Sequence, residues 1–167
     1  MLSDLVPGDV EHARIETPLV ALGAGVFCIS AAALMYEVTL TRLFSVAQFY
    51  HYAFMIVSLA MLGSGMSGTW LALFPRWGRG RTGRTLVLLA LGFGVSGAGA
   101  YVVINQVPFD SFSVALDARQ IGILALHYVL LSLPFFFSGA MLGVLMTAFK
   151  ERVGPLYAAN MTGSAVG

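Results

Sequence analysis

Four long apolar segments without a charged residue constrain most strongly what this chain can fold into. A helix needs about 20 apolar residues to cross the roughly 30 Å hydrocarbon core of a bilayer. The segments that meet or approach this length are 18–36, 53–74, 85–107 and 120–149, and none of them contains Asp, Glu, Lys or Arg. We therefore predict an all-α, polytopic membrane protein, a bundle of four transmembrane helices followed by the start of a fifth.

The composition supports lipid as the solvent of this chain. Hydrophobic residues make up 58% of it and charged residues 10%, against about 25% charged residues in soluble domains. Residues 1–17 are polar and form a predicted cytoplasmic leader, and residues 18–167 form the helical module. Because an apolar pattern of small residues resumes near Leu156 and continues to Gly167, we interpret the chain as part of a longer protein whose fifth span begins there.

The segment 120–149 is longer than one straight crossing requires, since it would span roughly 45 Å as a helix. Pro134 lies near its middle and lacks the backbone N–H that a helix interior uses. The sequence predicts either a tilted helix bent at Pro134 or a helix followed by an interfacial half-helix.

Basic residues predict the orientation in the membrane. A short hairpin between the second and third segments contains four arginines, namely Arg76, Arg79, Arg81 and Arg84. Cytoplasmic loops are enriched in Lys and Arg, so these residues are interpreted as a topology anchor that places the amino terminus in the cytoplasm. They also suit contact with anionic lipid headgroups, whereas binding of nucleic acid is not expected from a hairpin between two spans.

Two segments match the glycine pattern of dinucleotide-binding folds, at 63–68 and 92–97. That fingerprint requires a preceding strand and a helix that begins at the glycines, and both matches instead lie within hydrophobic spans. Small residues at four-residue spacing are typical of close packing between membrane helices. The predicted packing residues are Ala60, Ser64, Gly68, Gly92, Ser96, Gly139 and Gly143.

Ionisable residues near the outer ends of the spans are the candidates for a functional site. Glu37 and Arg42 end the first helix, His51 begins the second, and His127 lies two turns into the fourth. Such groups are costly in membranes and often functional, so we predict a polar pocket that they form together. The alternative is that Glu37 and Arg42 extend to the interface and each histidine bonds to a neighbouring helix. No catalytic constellation or metal site is predicted, since no two ligands share a helix at i, i+3 or i+4 spacing.

Several short stretches resemble one bacterial family. They are Ala31–Val38 with Thr41-Arg42-Leu43, Tyr50–Phe54, Ser58–Gly63, Leu133–Phe136 and Leu156–Asn160. Together they resemble the amino-terminal membrane module of the spermidine-synthase-like integral membrane proteins. The family pattern has Asp where this chain has Asn160, which puts any charge-dependent role of that position in doubt.

The resemblance implies a multi-pass protein of the bacterial inner membrane. It also implies a downstream soluble domain of aminopropyltransferase or methyltransferase type, which would use an S-adenosylmethionine-type cofactor, while the 167 residues themselves would bind no cofactor and carry no catalytic residue. The expected role of the module is to anchor that domain and to offer a substrate the polar pocket. Homo-oligomerisation, half of a transporter or channel, and a non-catalytic assembly subunit remain open.

Overall fold

The computed structural model describes residues 19–47, 51–75, 81–107 and 118–167. All regular structure in these residues is helical. The helices are α1 (Leu19–Ala47), α2 (His51–Leu73), α3 (Thr82–Gln106), α4 (Ala118–Ala148) and α5 (Val153–Val166), with a short 3-10 turn at Lys150–Arg152 between the last two. The predicted leader, Arg76 and Arg79 lie outside the described residues.

Helix lengths confirm the predicted fold class. Helices α1 to α4 contain 29, 23, 25 and 31 residues, and all four are long and apolar enough to cross a membrane. Helix α5 has 14 residues, which corresponds to about 21 Å. The described chain is therefore an all-α bundle with four helices that can cross a bilayer and one that covers part of that distance.

Helix α4 organises the bundle through extensive contacts with α2 and α3, while α1 contacts mainly α5 and α2. Gly63 of α2 approaches Phe135 of α4, and further along both helices Leu71 approaches Gly143. Helices α2 and α4 therefore run parallel. In contrast, Gly97 of α3 lies near Pro134 of α4, whereas the earlier residue Gly92 lies against the later residue Phe137, so α3 is antiparallel to α4, as consecutive crossings require.

The distribution of apolar side chains is that of a protein surrounded by lipid. Small groups of buried residues lie between the helices, among them Ile56, Leu59 and Leu131. Large apolar side chains are at the same time widely exposed, for example Val20 at 82% and Val95 at 72%. Exposing this apolar surface to water would cost roughly 25 cal/mol per Å², whereas exposing it to hydrocarbon would not.

Glycine contacts hold α2 close to α4. A Cβ atom at Gly63 would collide with the Ser132 carbonyl oxygen and would lie 2.9 Å from Phe135 Cβ. At Gly139 it would lie 3.1 Å from the Cα atom of Ser64. These helices therefore approach each other at a separation that only glycine permits at these two positions.

The other predicted packing residues differ in whether they lie at a contact between helices. Ala60 is buried in the α2 and α4 core, Gly143 contacts Leu71, and Gly92 lies against the Phe137 ring. Ser96 is half-buried and donates a hydrogen bond to its own helix at Phe93.

Gly68, in contrast, faces open space, and the buried residue at this level of α2 is Ser67. A four-residue step turns a helix by about 400°, so strict spacing of four drifts by about 80° between Ala60 and Gly68. The packing face therefore includes Gly63 and Ser67 in place of Gly68.

The structure decides between the two alternatives at Pro134 and corrects the expected start of the fifth helix. Helix α4 is continuous through Pro134, so the alternative with a separate half-helix after Pro134 is wrong. The fifth helix begins at Val153, before the expected position near Leu156, because Pro155 lies in its first turn, where a missing N–H costs no hydrogen bond.

Candidate polar site at one end of the bundle

The relative depth of the candidate residues follows from the antiparallel packing of α1 and α4. Val26 packs with Leu145, and the Tyr36 and Phe135 rings lie 5.7 Å apart. A step forward along α1 thus matches a step backward along α4. His127, eight residues before Phe135, is consequently level with Phe44, eight residues after Tyr36.

His127 is the candidate residue that the bundle buries, with 4% of its surface exposed. Its Nδ1 atom lies 2.7 Å from the Ile123 carbonyl oxygen. Because a carbonyl oxygen can only accept, Nδ1 carries the hydrogen and donates it. In the neutral ring the lone pair therefore belongs to Nε2, the atom that can accept a proton or a hydrogen bond.

Glu37 lies deeper than His127. It precedes Phe44 by seven residues, which corresponds to about 10 Å along the helix axis. The side chain is half-buried, and its backbone carbonyl accepts a 2.8 Å hydrogen bond from Thr41 Oγ1. At this depth α4 contributes Pro134, so Glu37 and His127 occupy different levels of the same bundle.

Arg42 is close in depth to His127 but points in another direction. It lies two residues before Phe44, about 3 Å along the axis, and its side chain is exposed. Five residues separate Glu37 from Arg42, which places them about 140° apart around α1. The two residues therefore occupy different faces of the helix.

His51 is the first residue of α2, at the end of the bundle where the polar site is expected. Its side chain lies outside the described residues. The structure thus brings the backbone of His51 and the residues Arg42 and His127 to one end of the bundle, with Glu37 about two turns deeper.

Tyr36 is a polar group in the interior that the sequence did not indicate. A tyrosine at the end of the apolar segment 18–36 is typical of the aromatic belt at the membrane interface, but the Tyr36 ring packs against Phe135 and lies 6.3 Å from the Phe93 ring. A Cβ atom at Gly97 would meet both Tyr36 Cζ, at 3.8 Å, and Pro134 Cγ, at 4.0 Å. Its hydroxyl is buried without a hydrogen-bond partner among the described residues.

Pro134 leaves a polar backbone atom in the interior of α4. Because proline has no N–H, the Leu130 carbonyl lacks its usual intrahelical hydrogen bond. Glu37 and Tyr36 thus place a carboxyl and a hydroxyl at one level of the bundle, and the Leu130 carbonyl lies about one turn from that level, on the side of His127. The spacing of Tyr36, Leu40 and Phe44 on one face of α1 was the signal that could have indicated this interior position.

Three of the four buried serines among the described residues bond within their own helix, whereas the fourth, Ser30, donates to Asn160 of α5. Ser67 donates to Ser64 at 2.6 Å, Ser132 to Val129 at 2.9 Å and Ser138 to Phe135 at 3.1 Å, in each case to a backbone carbonyl of its own helix. Such bonds satisfy the hydroxyl locally. They indicate structural serines rather than activated nucleophiles.

Metal coordination finds no support in the described part of the chain, where no group of three or more His, Cys, Asp or Glu side chains converges. No protein-family model matches the chain, and neither the curated proteins nor the solved structures contain a significant match. Function must therefore be inferred from the bundle and its polar residues.

Proposed function

We propose that this chain is the membrane-embedded module of a spermidine-synthase-like protein of the bacterial inner membrane, where it anchors a transferase-like domain. The family part of this proposal depends on the stretches that resemble that module. Tyr36, Gly63 and Phe135, which belong to these stretches, contact residues of other helices. A common bundle, rather than common chemistry, would therefore account for the resemblance.

The observation that carries the anchoring role is the continuity of the central helix and its close packing against α2. Helix α4 is continuous through Pro134, and Gly63 and Gly139 fix it at close distance to α2. Transporters commonly bind their substrates at broken helices whose halves move against each other. A continuous, interlocked α4 favours a scaffold over a moving half of a transporter.

A substrate site at the outer end is the second part of the proposal. Arg42 and His127 lie at similar depth, and Glu37 is the one carboxylate among the described residues of the four long helices. A carboxylate at this depth is costly unless it is paired, and an amine would pair with it. The proposed pocket would thus receive an amine substrate that enters at the end of the bundle where Arg42, His51 and His127 lie and extends its amino group about two turns deeper, to Glu37.

The anchoring proposal is tested with the complete gene product. We expect a Rossmann-like domain after Gly167 and transfer from an S-adenosylmethionine-type donor to a polyamine when the protein is reconstituted in lipid nanodiscs. Uptake of labelled polyamine into proteoliposomes without transfer would support the transporter instead. If neither transfer nor uptake is observed, the result would favour a non-catalytic assembly subunit.

The pocket is tested separately by Glu37→Gln and Arg42→Gln, alone and together, in the reconstituted protein. Because the two side chains lie on different faces of α1, we expect Glu37→Gln to raise KM for the amine and the two effects to be additive. Arg119→Gln, another cation at this end, serves as the control. Unchanged kinetics in Glu37→Gln would rule out the proposed pocket without affecting the proposed anchoring role.

A further inference from the structure

The end of the bundle opposite the polar site gathers the starts of two helices around one buried cluster. Val26, Leu145 and Leu156 form this cluster, and Leu86 and Phe149 pack against it. Leu86 belongs to the first turns of α3 and Leu156 to the first turn of α5. The amino-terminal ends of α3 and α5 therefore lie at the same end of the bundle, beside one buried cluster.

Four cations accompany these two helix starts. Arg81 immediately precedes α3 and Arg84 lies in its first turn, while Lys150 and Arg152 form the turn that leads into α5. All four side chains are exposed. Among the described residues Glu151 is the one carboxylate at this end, so positive charge dominates it. We call these four cations the basic end.

The start of α3 adds backbone donors to this positive charge, whereas the start of α5 adds fewer, because the 3-10 turn leads directly into it and Pro155 in its first turn has no N–H. Arg81 and Arg152 occupy the N-cap positions of α3 and α5, neither makes a side-chain capping hydrogen bond, and neither first turn contains an acidic residue. Unbonded N–H groups and the helix dipole favour an anion at such positions. Arginine guanidinium groups beside them suit the oxygens of a phosphate.

An apolar surface begins directly beside the basic end. Val87, Leu88 and Leu91 of α3 are 59%, 58% and 59% exposed, and they follow Arg84 along the helix. A free phosphate would contact only the cations, whereas a phospholipid would place its headgroup among them and its acyl chains along this surface. The combination of charge and apolar surface identifies the ligand as a lipid.

We propose that the basic end binds the phosphate headgroup of an anionic phospholipid, with Arg81, Arg84, Lys150 and Arg152 as its ligands. This site is separate from the proposed substrate pocket, which lies at the other end of the bundle. Its occupant would belong to the leaflet that the arginine-rich hairpin faces.

Lipid-dependent stability of the purified protein tests this proposal. We expect phosphatidylglycerol added to the detergent-solubilised protein to raise its Tm more than phosphatidylcholine does, and to remain bound in native mass spectra. Each cation near an anionic lipid surface changes affinity by roughly fivefold. Arg81→Gln/Arg84→Gln and Lys150→Gln/Arg152→Gln should each weaken phosphatidylglycerol binding by about 25-fold, since each removes two charges.

Matched controls distinguish a site from general attraction. Arg42→Gln/Arg119→Gln removes the same charge from the opposite end and should leave phosphatidylglycerol binding within twofold of the wild type. Arg81→Lys/Arg84→Lys, which retains the charge, should keep most of the binding even if the glutamine variants fail to fold. An equal loss in the opposite-end control, the same stabilisation by inorganic phosphate, or wild-type protein without bound phosphatidylglycerol would overturn the proposal.

Discussion

Ser30 of α1 donates a 2.6 Å hydrogen bond to Oδ1 of Asn160 on α5. Ser30 is buried at 3% exposure, so this bond joins two helices away from solvent. Later residues of α5 also approach α1, Gly163 at Phe27 and Gly167 at Ala31. The equal four-residue steps on both helices show that α1 and α5 run parallel, as expected of two helices that enter the membrane from the same side.

A double-mutant cycle should measure this bond. Interhelical hydrogen bonds in membrane proteins contribute about 0.6 kcal/mol on average and up to about 1.7 kcal/mol. We expect a coupling energy in that range between Ser30→Ala and Asn160→Leu, from reversible unfolding in detergent. Ser58, exposed and bonded at 3.0 Å to Phe54 of its own helix, gives the control, and Ser58→Ala should show no coupling with Asn160→Leu. Coupling equal to this control would contradict the contact.

A single methyl group added at Gly63 should destabilise the interface between α2 and α4. Gly63→Ala places a Cβ atom against the backbone of Ser132 and Phe136, and overpacking of this kind costs about 1–3 kcal/mol. Gly65 lies on the same helix, and no atom lies within 4 Å of the position that a methyl group would take there. Gly65→Ala should therefore be neutral or stabilising by a few tenths of a kcal/mol. Comparable unfolding free energies for the two variants would argue against the close approach.

The buried Tyr36 hydroxyl should reduce stability. Burying a hydroxyl without a hydrogen bond costs about 1–3 kcal/mol in mutational data, so we expect Tyr36→Phe to raise the free energy of unfolding by about 1 kcal/mol. Tyr128, which is 37% exposed, provides the matched variant Tyr128→Phe, with little expected change. A clear loss of stability in Tyr36→Phe would instead indicate that the hydroxyl has a partner in the membrane.

The positions of the long helices could be predicted from the sequence because crossing a bilayer depends on the length of an apolar run. The continuation of α1 beyond Tyr36, through Glu37 and Arg42, agrees with the sequence as well, since residues 37–42 contain no Gly or Pro that would end a helix. These properties belong to single helices and need no knowledge of their neighbours.

The composition of the site could be predicted only in part, because it depends on how the helices pack. The depth of Glu37 relative to His127 depends on the register of α1 against α4, which Tyr36 and Phe135 set in three dimensions. Whether Ser67 or Gly68 faces α4 depends likewise on helix rotation. The spacing of small residues in a single sequence does not determine either quantity.

Membrane orientation, finally, can be measured with introduced cysteines. Cys28 is the only cysteine, so a Cys28→Ala background allows Gly80→Cys in the arginine-rich hairpin and Ser111→Cys in the next connection to be labelled individually. The positive-inside rule predicts that Gly80→Cys is protected from a membrane-impermeant maleimide in spheroplasts and reacts after lysis. Ser111→Cys should react in both conditions, since one crossing separates the two positions. Labelling of Gly80→Cys in intact spheroplasts, with Ser111→Cys protected, would reverse the orientation and place the basic end in the outer leaflet.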